Sequence, residues 1–220
     1  MAQRSYGDRA VSPNQEFRRE EILEAAVEVL RSHGVAACTV RGIAERAGVS
    51  KGVIHYYFAD AQELVELAFA RLSDVYYAHV RELAEAVGDP EQALWHAITA
   101  YVAPWNVHSS MSLLWCEYYV AAARAGRLDG VIAAHREMRE LFAGLLAGIS
   151  PHARRHASAL TRHVTGAVLT QQQMPVELAD LLAEAARLVG LPEPAGVEAG
   201  CTDPRCRFHG SRCAPKERLA

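Results

Sequence analysis

Between Gly34 and Leu64 a short stretch combines hydroxyls, cations and hydrogen-bonding aromatics at helical spacing. Lys51, Gly52, His55 and Tyr56 point away from Val53, Ile54 and Phe58, Ser50 precedes them, and Thr39 and Arg41 stand on the flank. A hydroxyl or a backbone N–H at a helix start suits a phosphate, and a lysine adds charge. A glycine permits close backbone approach, while His and Tyr reach phosphates or base edges. The chemistry is recognition of a polyanion rather than bond making.

Two other groups have chemical potential. Cys201, Cys206, His209 and Cys213 supply three thiolates and an imidazole within thirteen residues, a donor set that matches structural zinc, although its spacing is not one of the common finger patterns. A basic tail with reducible thiols, carrying five Lys/Arg against two Asp/Glu over residues 201–220, is the alternative. Trp95, Tyr101, Trp105, Met111, Trp115 and Tyr118 are large side chains, mostly with a polar edge, and suit a largely apolar pocket with a few orienting hydrogen bonds. Aromatics at this spacing equally form plain core.

Catalysis finds little support. Gly48-Val49-Ser50-Lys51-Gly52 formally matches a G-x-S-x-G nucleophile elbow, but an elbow follows a buried strand, and Ile43-Ala44-Glu45-Arg46-Ala47 before it is helical in pattern. A helical di-metal site needs Glu-x-x-His pairs, and none of the ten histidines has a Glu three residues earlier. No catalytic residue is assigned and the chain is not read as an enzyme.

These residues require helices to position them, and the chain is punctuated accordingly. Ser12-Pro13 with Gln15 reads as the start of a first helix whose stripe is Ile22, Ala26, Val29 and Leu30, ending at Gly34. Thr39 and Ser50 are N-cap residues for two short helices around Gly48, which supplies a left-handed turn. Asp60 with Glu63 is a capping box opening a long helix with Leu64, Leu67, Ala68, Leu72, Val75 and Val80 on its apolar side. Asp89-Pro90, Ser150-Pro151 and Pro175 mark further starts; Gly126, Gly148 and Gly190 mark ends, and Pro104 marks a break. Roughly nine helices fit in the first 190 residues. The fold class is all-α: an N-terminal three-helix helix-turn-helix domain over 13–59 after a flexible arm at 1–12, then a larger helical domain over 60–190, then a linker and Cys/His-containing tail at 191–220.

Of the 220 residues half are hydrophobic and 22% charged, which excludes disorder as the overall state. The net charge of −3 hides a local basic stretch: residues 31–58 carry Arg31, Arg41, Arg46 and Lys51 against Glu45 alone. Nothing in the first residues resembles a signal peptide, and no run approaches the roughly 18 apolar residues of a membrane span, so the expected location is cytoplasmic with no membrane partner.

Residues 17–65 closely resemble the N-terminal DNA-binding domain of the TetR family of transcriptional regulators. Thr39, Ile43-Ala44, Ala47 to Gly52 and His55 to Phe58 follow the family pattern of a Thr, an Ile-Ala pair, Ala-Gly-Val-Ser-x-Gly and an aromatic run ending Tyr-Phe. Ala61 departs from it, standing where members usually have a phosphate-contacting lysine. The resemblance implies a homodimeric repressor that binds double-stranded operator DNA through Thr39, Arg41, Ser50, Lys51, Gly52, His55 and Tyr56, and is released by a small-molecule effector. It also implies pairing of the last two helices, through Ala157, Leu160, Val164, Ala167 and Val168 and through Leu178, Leu181, Leu182, Ala185 and Leu188; an ordinary intramolecular core is the other reading of those residues. Leu114-Trp115 with Glu117 is similar to the ligand domain of choline-responsive regulators, without identifying an inducer. A metal- or thiol-responsive regulator using the tail cluster is the alternative function.

Overall fold

The computed structural model describes residues 13–105, 111–171 and 173–194. Among them are nine α-helices, two single-turn 3-10 helices and no strand. The helices are α1 (Pro13–His33), α2 (Val40–Ala47), α3 (Lys51–Tyr57), α4 (Ala61–Glu85), α5 (Pro90–Val102), α6 (Met111–Ala125), α7 (Asp129–Leu146), α8 (Ala153–Thr170) and α9 (Leu178–Val189). None of the described helices is long and apolar enough to cross a membrane. The chain divides into two compact units at Arg71–Leu72, inside α4 rather than at its start.

The first unit is built from α1 to α3 and the first turns of α4. Ile22, Ala26 and Leu30 of α1, Ile43 of α2, Ile54 of α3 and Leu64 of α4 are fully or almost fully buried, as the 3.6-residue period requires. Arg71 bridges Glu20 at 2.6 Å and Glu24 at 3.3 Å, tying α4 to α1. The Asp60–Glu63 capping box forms: Asp60 Oδ1 accepts from the Glu63 N–H at 2.7 Å and Glu63 Oε2 accepts from the Ala59 N–H at 2.6 Å. The Ser12 cap expected to pair with Gln15 lies outside the described residues; the Gln15 side-chain amide reaches Tyr56.

In the second unit one apolar cluster runs through Tyr76, Tyr77 and Val80 of α4, Trp95 and Ile98 of α5, Met138 and Phe142 of α7, Leu160 and Val164 of α8, and Leu182 and Ala185 of α9. The expected α4 stripe is corrected here. Val75 is 45% exposed, and the neighbouring pair Tyr76-Tyr77 takes the buried face. Asp89 caps α5 by accepting from the Gln92 N–H at 2.8 Å, with Pro90 in the first turn. Pro104 stands in the 3-10 turn Ala103–Trp105 that ends α5. Ser150 does not cap at Pro151. It accepts from the His152 N–H at 3.1 Å and pairs with His156 Nδ1 at 2.8 Å, and α8 begins only at Ala153.

The two last helices are corrected as well. Ala157, Leu160, Val164, Val168, Leu181, Leu182 and Ala185 are buried within their own unit, so these seven are intramolecular core. The outward positions are Arg154, Arg155, Arg162, Gly166 and Thr170 on α8 and Ala179, Asp180, Glu184, Arg187 and Leu188 on α9, with Ala167 and Leu178 half-buried.

Candidate nucleic-acid interface

The turn between α2 and α3 follows from three local devices. Thr39 Oγ1 accepts from the Gly42 N–H at 3.0 Å and starts α2. Gly48, at φ 66° and ψ 32°, ends it in the left-handed region, where an L side chain is strained. The Gly48 N–H returns to the Glu45 carbonyl and the Val49 N–H to the Ala44 carbonyl, at 3.4 and 3.0 Å, which is the Schellman arrangement. Ser50 Oγ then accepts from the Val53 N–H at 3.4 Å and opens α3. Ser50 thus serves as a helix cap after a helical turn, a frame unlike that of a strand-borne nucleophile.

With Ile54 and Phe58 buried, the opposite side of α3 is left outside. Thr39, Arg41, Ser50, Lys51, Gly52, His55 and Tyr56 are all exposed, and all belong to the first unit. Two of them have neighbours that sequence reasoning did not foresee. The Gln15 Nε2 amide donates to the Tyr56 hydroxyl at 2.9 Å, and the Tyr57 ring meets Tyr56 edge-on at 4.9 Å. Arg41 Nε donates to Glu45 Oε1 at 2.8 Å, one turn along α2. Among the described residues a Cβ at Gly52 would meet only Ser50 Oγ, at 3.7 Å, so none of them requires a glycine there. Behind this face Arg46 pairs with Glu28, and the Arg19 guanidinium lies 4.9 Å over the Phe58 ring, fixing α1 against both short helices.

The sequence-selected aromatic set lies in the second unit. Trp95, Tyr101 and Trp105 are buried in its core cluster, with Met111 and Trp115 half-buried against it. Tyr118 is buried but outside that cluster; its hydroxyl occupies the space that a Cβ on Gly130 would take. Tyr76 and Tyr77 were missed, although the doublet on α4 was the available signal. Tyr76 donates to the Tyr101 carbonyl and accepts from Trp105 Nε1 at 2.9 Å, while Tyr77 donates to the Ala134 carbonyl at 2.9 Å. Burial pushes the phenols of Tyr77 and Tyr101 well above their ordinary range, so both remain neutral donors. Trp95 Nε1 is different: it is buried without a hydrogen-bond partner. Cys201, Cys206, His209 and Cys213 lie outside the described residues, as do the arm at 1–12 and residues 195–220 of the tail.

Comparison with known proteins agrees with this geometry. Residues 22–68 match the family of bacterial regulatory proteins, tetR family. The chain is 29% identical over 156 residues to the HTH-type transcriptional regulator BetI of Cronobacter sakazakii, covering 68% of this chain and 74% of that one. Among solved structures it is similar to the transcriptional regulator SCO7518 of Streptomyces coelicolor A3(2), with a TM-score of 0.64 and 28% identity over 78% of this chain and 98% of that one. It is also similar to the multidrug binding protein EbrR complexed with imidazole, with a TM-score of 0.61 and 26% identity over 82% and 98% of the two chains. A capped α2–Gly48–α3 pair with its polar side outward, inside the stretch that matches the family model, identifies residues 22–68 as a tetR-family helix-turn-helix domain of the kind carried by bacterial transcriptional regulators.

Proposed function

We propose that the chain is a homodimeric repressor that acts on duplex DNA in the cytoplasm and leaves its operator when a small molecule occupies the second unit. The observation that carries the DNA-reading part is the exposed face of α3, where Lys51, His55 and Tyr56 surround a glycine for which the protein itself has no steric need. Lys51 neutralises a phosphate, the Ser50 hydroxyl and the first N–H groups of α3 donate to another, and His55 and Tyr56 reach base edges or backbone.

Two such helices must enter successive major grooves about 34–36 Å apart, which requires a dimer. Two exposed faces support pairing through the last two helices: α8 offers Arg155 and Arg162 around Gly166, and α9 offers Asp180 and Glu184. In a two-fold pairing the basic face of one α8 meets the acidic face of its partner's α9, with Gly166 permitting close approach. Helix α4 supplies turns to both units, so a ligand that changes its position in the second changes the spacing of the two recognition helices.

The test is selection of a preferred duplex from a random library, followed by fluorescence-anisotropy titration at fixed salt. The reading expects a two-fold symmetric site bound by a dimer, with Lys51→Ala weakening binding several-fold while the dimer stays folded. An asymmetric site bound by a monomer, or unchanged affinity in that variant, would reject it.

A further inference from the structure

The second unit contains a hydrogen-bond donor with nothing to donate to. Trp95 is 2% exposed, and its indole Nε1–H has no partner. One turn along α5, Thr99 Oγ1 is likewise buried and unpartnered, and residues four apart on a helix share a face. An unpaired buried donor loses its hydration with nothing in return, so such groups call for an explanation. Thr165 Oγ1 on α8 is the third such atom among the described residues, but other buried polar groups of the unit are paired. Trp105, in the same apolar cluster, delivers its Nε1–H to Tyr76, and the buried Ser112 and Thr161 hydroxyls reach the carbonyls of Val168 and Ala157 at 2.9 and 2.8 Å.

We propose that Trp95, with Thr99, is the recognition point for the effector, and that the effector is an uncharged, mostly apolar molecule bearing a carbonyl-type acceptor. This rests on the reading of the chain as a ligand-released regulator. The polarity of the pair selects the chemistry. An N–H presents its positive end, which repels a cation and favours an acceptor. The aromatic rings that could otherwise cradle a cation are turned to one another: Tyr101 stacks on Trp105 at 6.2 Å and on Tyr77 at 6.3 Å. An anion would find acceptance at Trp95 but no counter-charge, since the buried polar side chains among the described residues are Ser112, Ser150 and Thr161, none of them charged. A neutral carbonyl gains the hydrogen bond without losing an ionic hydration shell. The apolar cluster to which Trp95 belongs, with Ile98 and Phe142 among its members, suits the rest of such a molecule.

The experiment uses the full chain with its three tryptophans labelled with 15N, their indole signals assigned with Trp95→Phe, Trp105→Phe and Trp115→Phe. It is titrated with 2-octanone, octane, octanoate and octyltrimethylammonium, and DNA release is measured in parallel on the selected duplex. The expected result is a downfield shift of the Trp95 indole proton with 2-octanone but not with octane, accompanied by loss of DNA affinity. Trp95→Phe should weaken ketone binding about tenfold while leaving octane binding unchanged. Thr99→Val, which keeps the shape, should give a smaller loss in the same direction. Ketone binding with an unmoved Trp95 signal, or undiminished in Trp95→Phe, overturns the assignment. Tighter binding and DNA release by octanoate or octyltrimethylammonium overturns the proposed chemistry and leaves ligand-controlled release standing. If no compound binds and DNA affinity never changes, both fall.

Discussion

The hydroxyl of Tyr56 accepts a hydrogen bond from the side-chain amide of Gln15 at 2.9 Å, linking the first turn of α1 to the exposed side of α3. Because Gln15 supplies the proton, the phenol keeps its own proton to donate to a phosphate oxygen. Gln15 is therefore a positioning residue, holding a 65% exposed ring that would otherwise sample several rotamers. Gln15→Ala should weaken duplex binding by about 2- to 5-fold, the scale of one net hydrogen bond. It should lower unfolding stability by no more than about 0.5 kcal/mol, as is usual at the surface. Anisotropy titration with the selected duplex and urea unfolding measure the two; equal affinity of variant and wild type would remove Gln15 from the interface.

Gly42 and Gly52 belong to the same motif and make opposite predictions. A Cβ on Gly42 would fall 2.7 Å from the Ala37 carbonyl oxygen and 3.3 Å from the Thr39 hydroxyl that caps α2. Backbone cannot move aside cheaply, so Gly42→Ala should destabilise by about 1–3 kcal/mol. A Cβ on Gly52 makes only an ordinary contact with Ser50 Oγ, and replacing a helical glycine by alanine gains up to about 1 kcal/mol. Gly52→Ala should therefore be as stable as wild type or more so, yet bind DNA at least tenfold more weakly, because its methyl stands where the phosphate backbone approaches. A variant that is stabilised and binds normally would show that α3 does not approach DNA at this point.

Cys38 offers a test by pH. Its thiol is buried beneath α1, contacting the Gly34 and Ala26 carbonyls, and burial pushes its pKa up from 9.0 to about 11. The folded state thus holds the proton more tightly than the unfolded one. That contribution is fully present below pH 9 and is lost as pH rises through the window from about 9 to 11. The stability difference between wild type and Cys38→Ala should accordingly be flat from pH 6 to 8 and shift against the wild type above 9. Comparing the two proteins cancels the parallel effect of the buried tyrosines. A difference independent of pH up to 11 would mean that the thiol ionises as readily in the folded protein as in the unfolded one.

The helix-turn-helix was legible because its determinants are local: Thr39, Gly48 and Ser50 each act on backbone groups within a few residues, and burial of Ile43 and Ile54 follows the helical period. The second unit was less so. Val75 and Tyr76 are adjacent, and which of them turns inward depends on where Tyr101 and Trp105 lie, residues more than a turn of sequence away. Trp95 and Trp105 look alike as residue types. Only the tertiary fold pairs one indole and leaves the other without an acceptor. The burial of Leu160, Val164 and Leu182 illustrates the same limit, since an apolar stripe serves an internal neighbour or a second copy with equal ease.

Arg41 is exposed, but its Nε is engaged by Glu45 at 2.8 Å, so a phosphate must compete with a carboxylate for it. An exposed pair of this kind is worth little to the fold, whereas the carboxylate also repels the DNA backbone. Glu45→Gln keeps the shape of the side chain, removes the negative charge and leaves Arg41 free to contact a phosphate. Duplex affinity should rise about 3- to 10-fold at low salt. If Arg41 gains a phosphate contact, the plot of log K against log salt should steepen by about 0.9, the increment for one neutralised phosphate. A rise in affinity with an unchanged slope would mean that Glu45 acts only by repulsion at a distance. No rise at all would place Arg41 and Glu45 away from the duplex and confine the interface to α3.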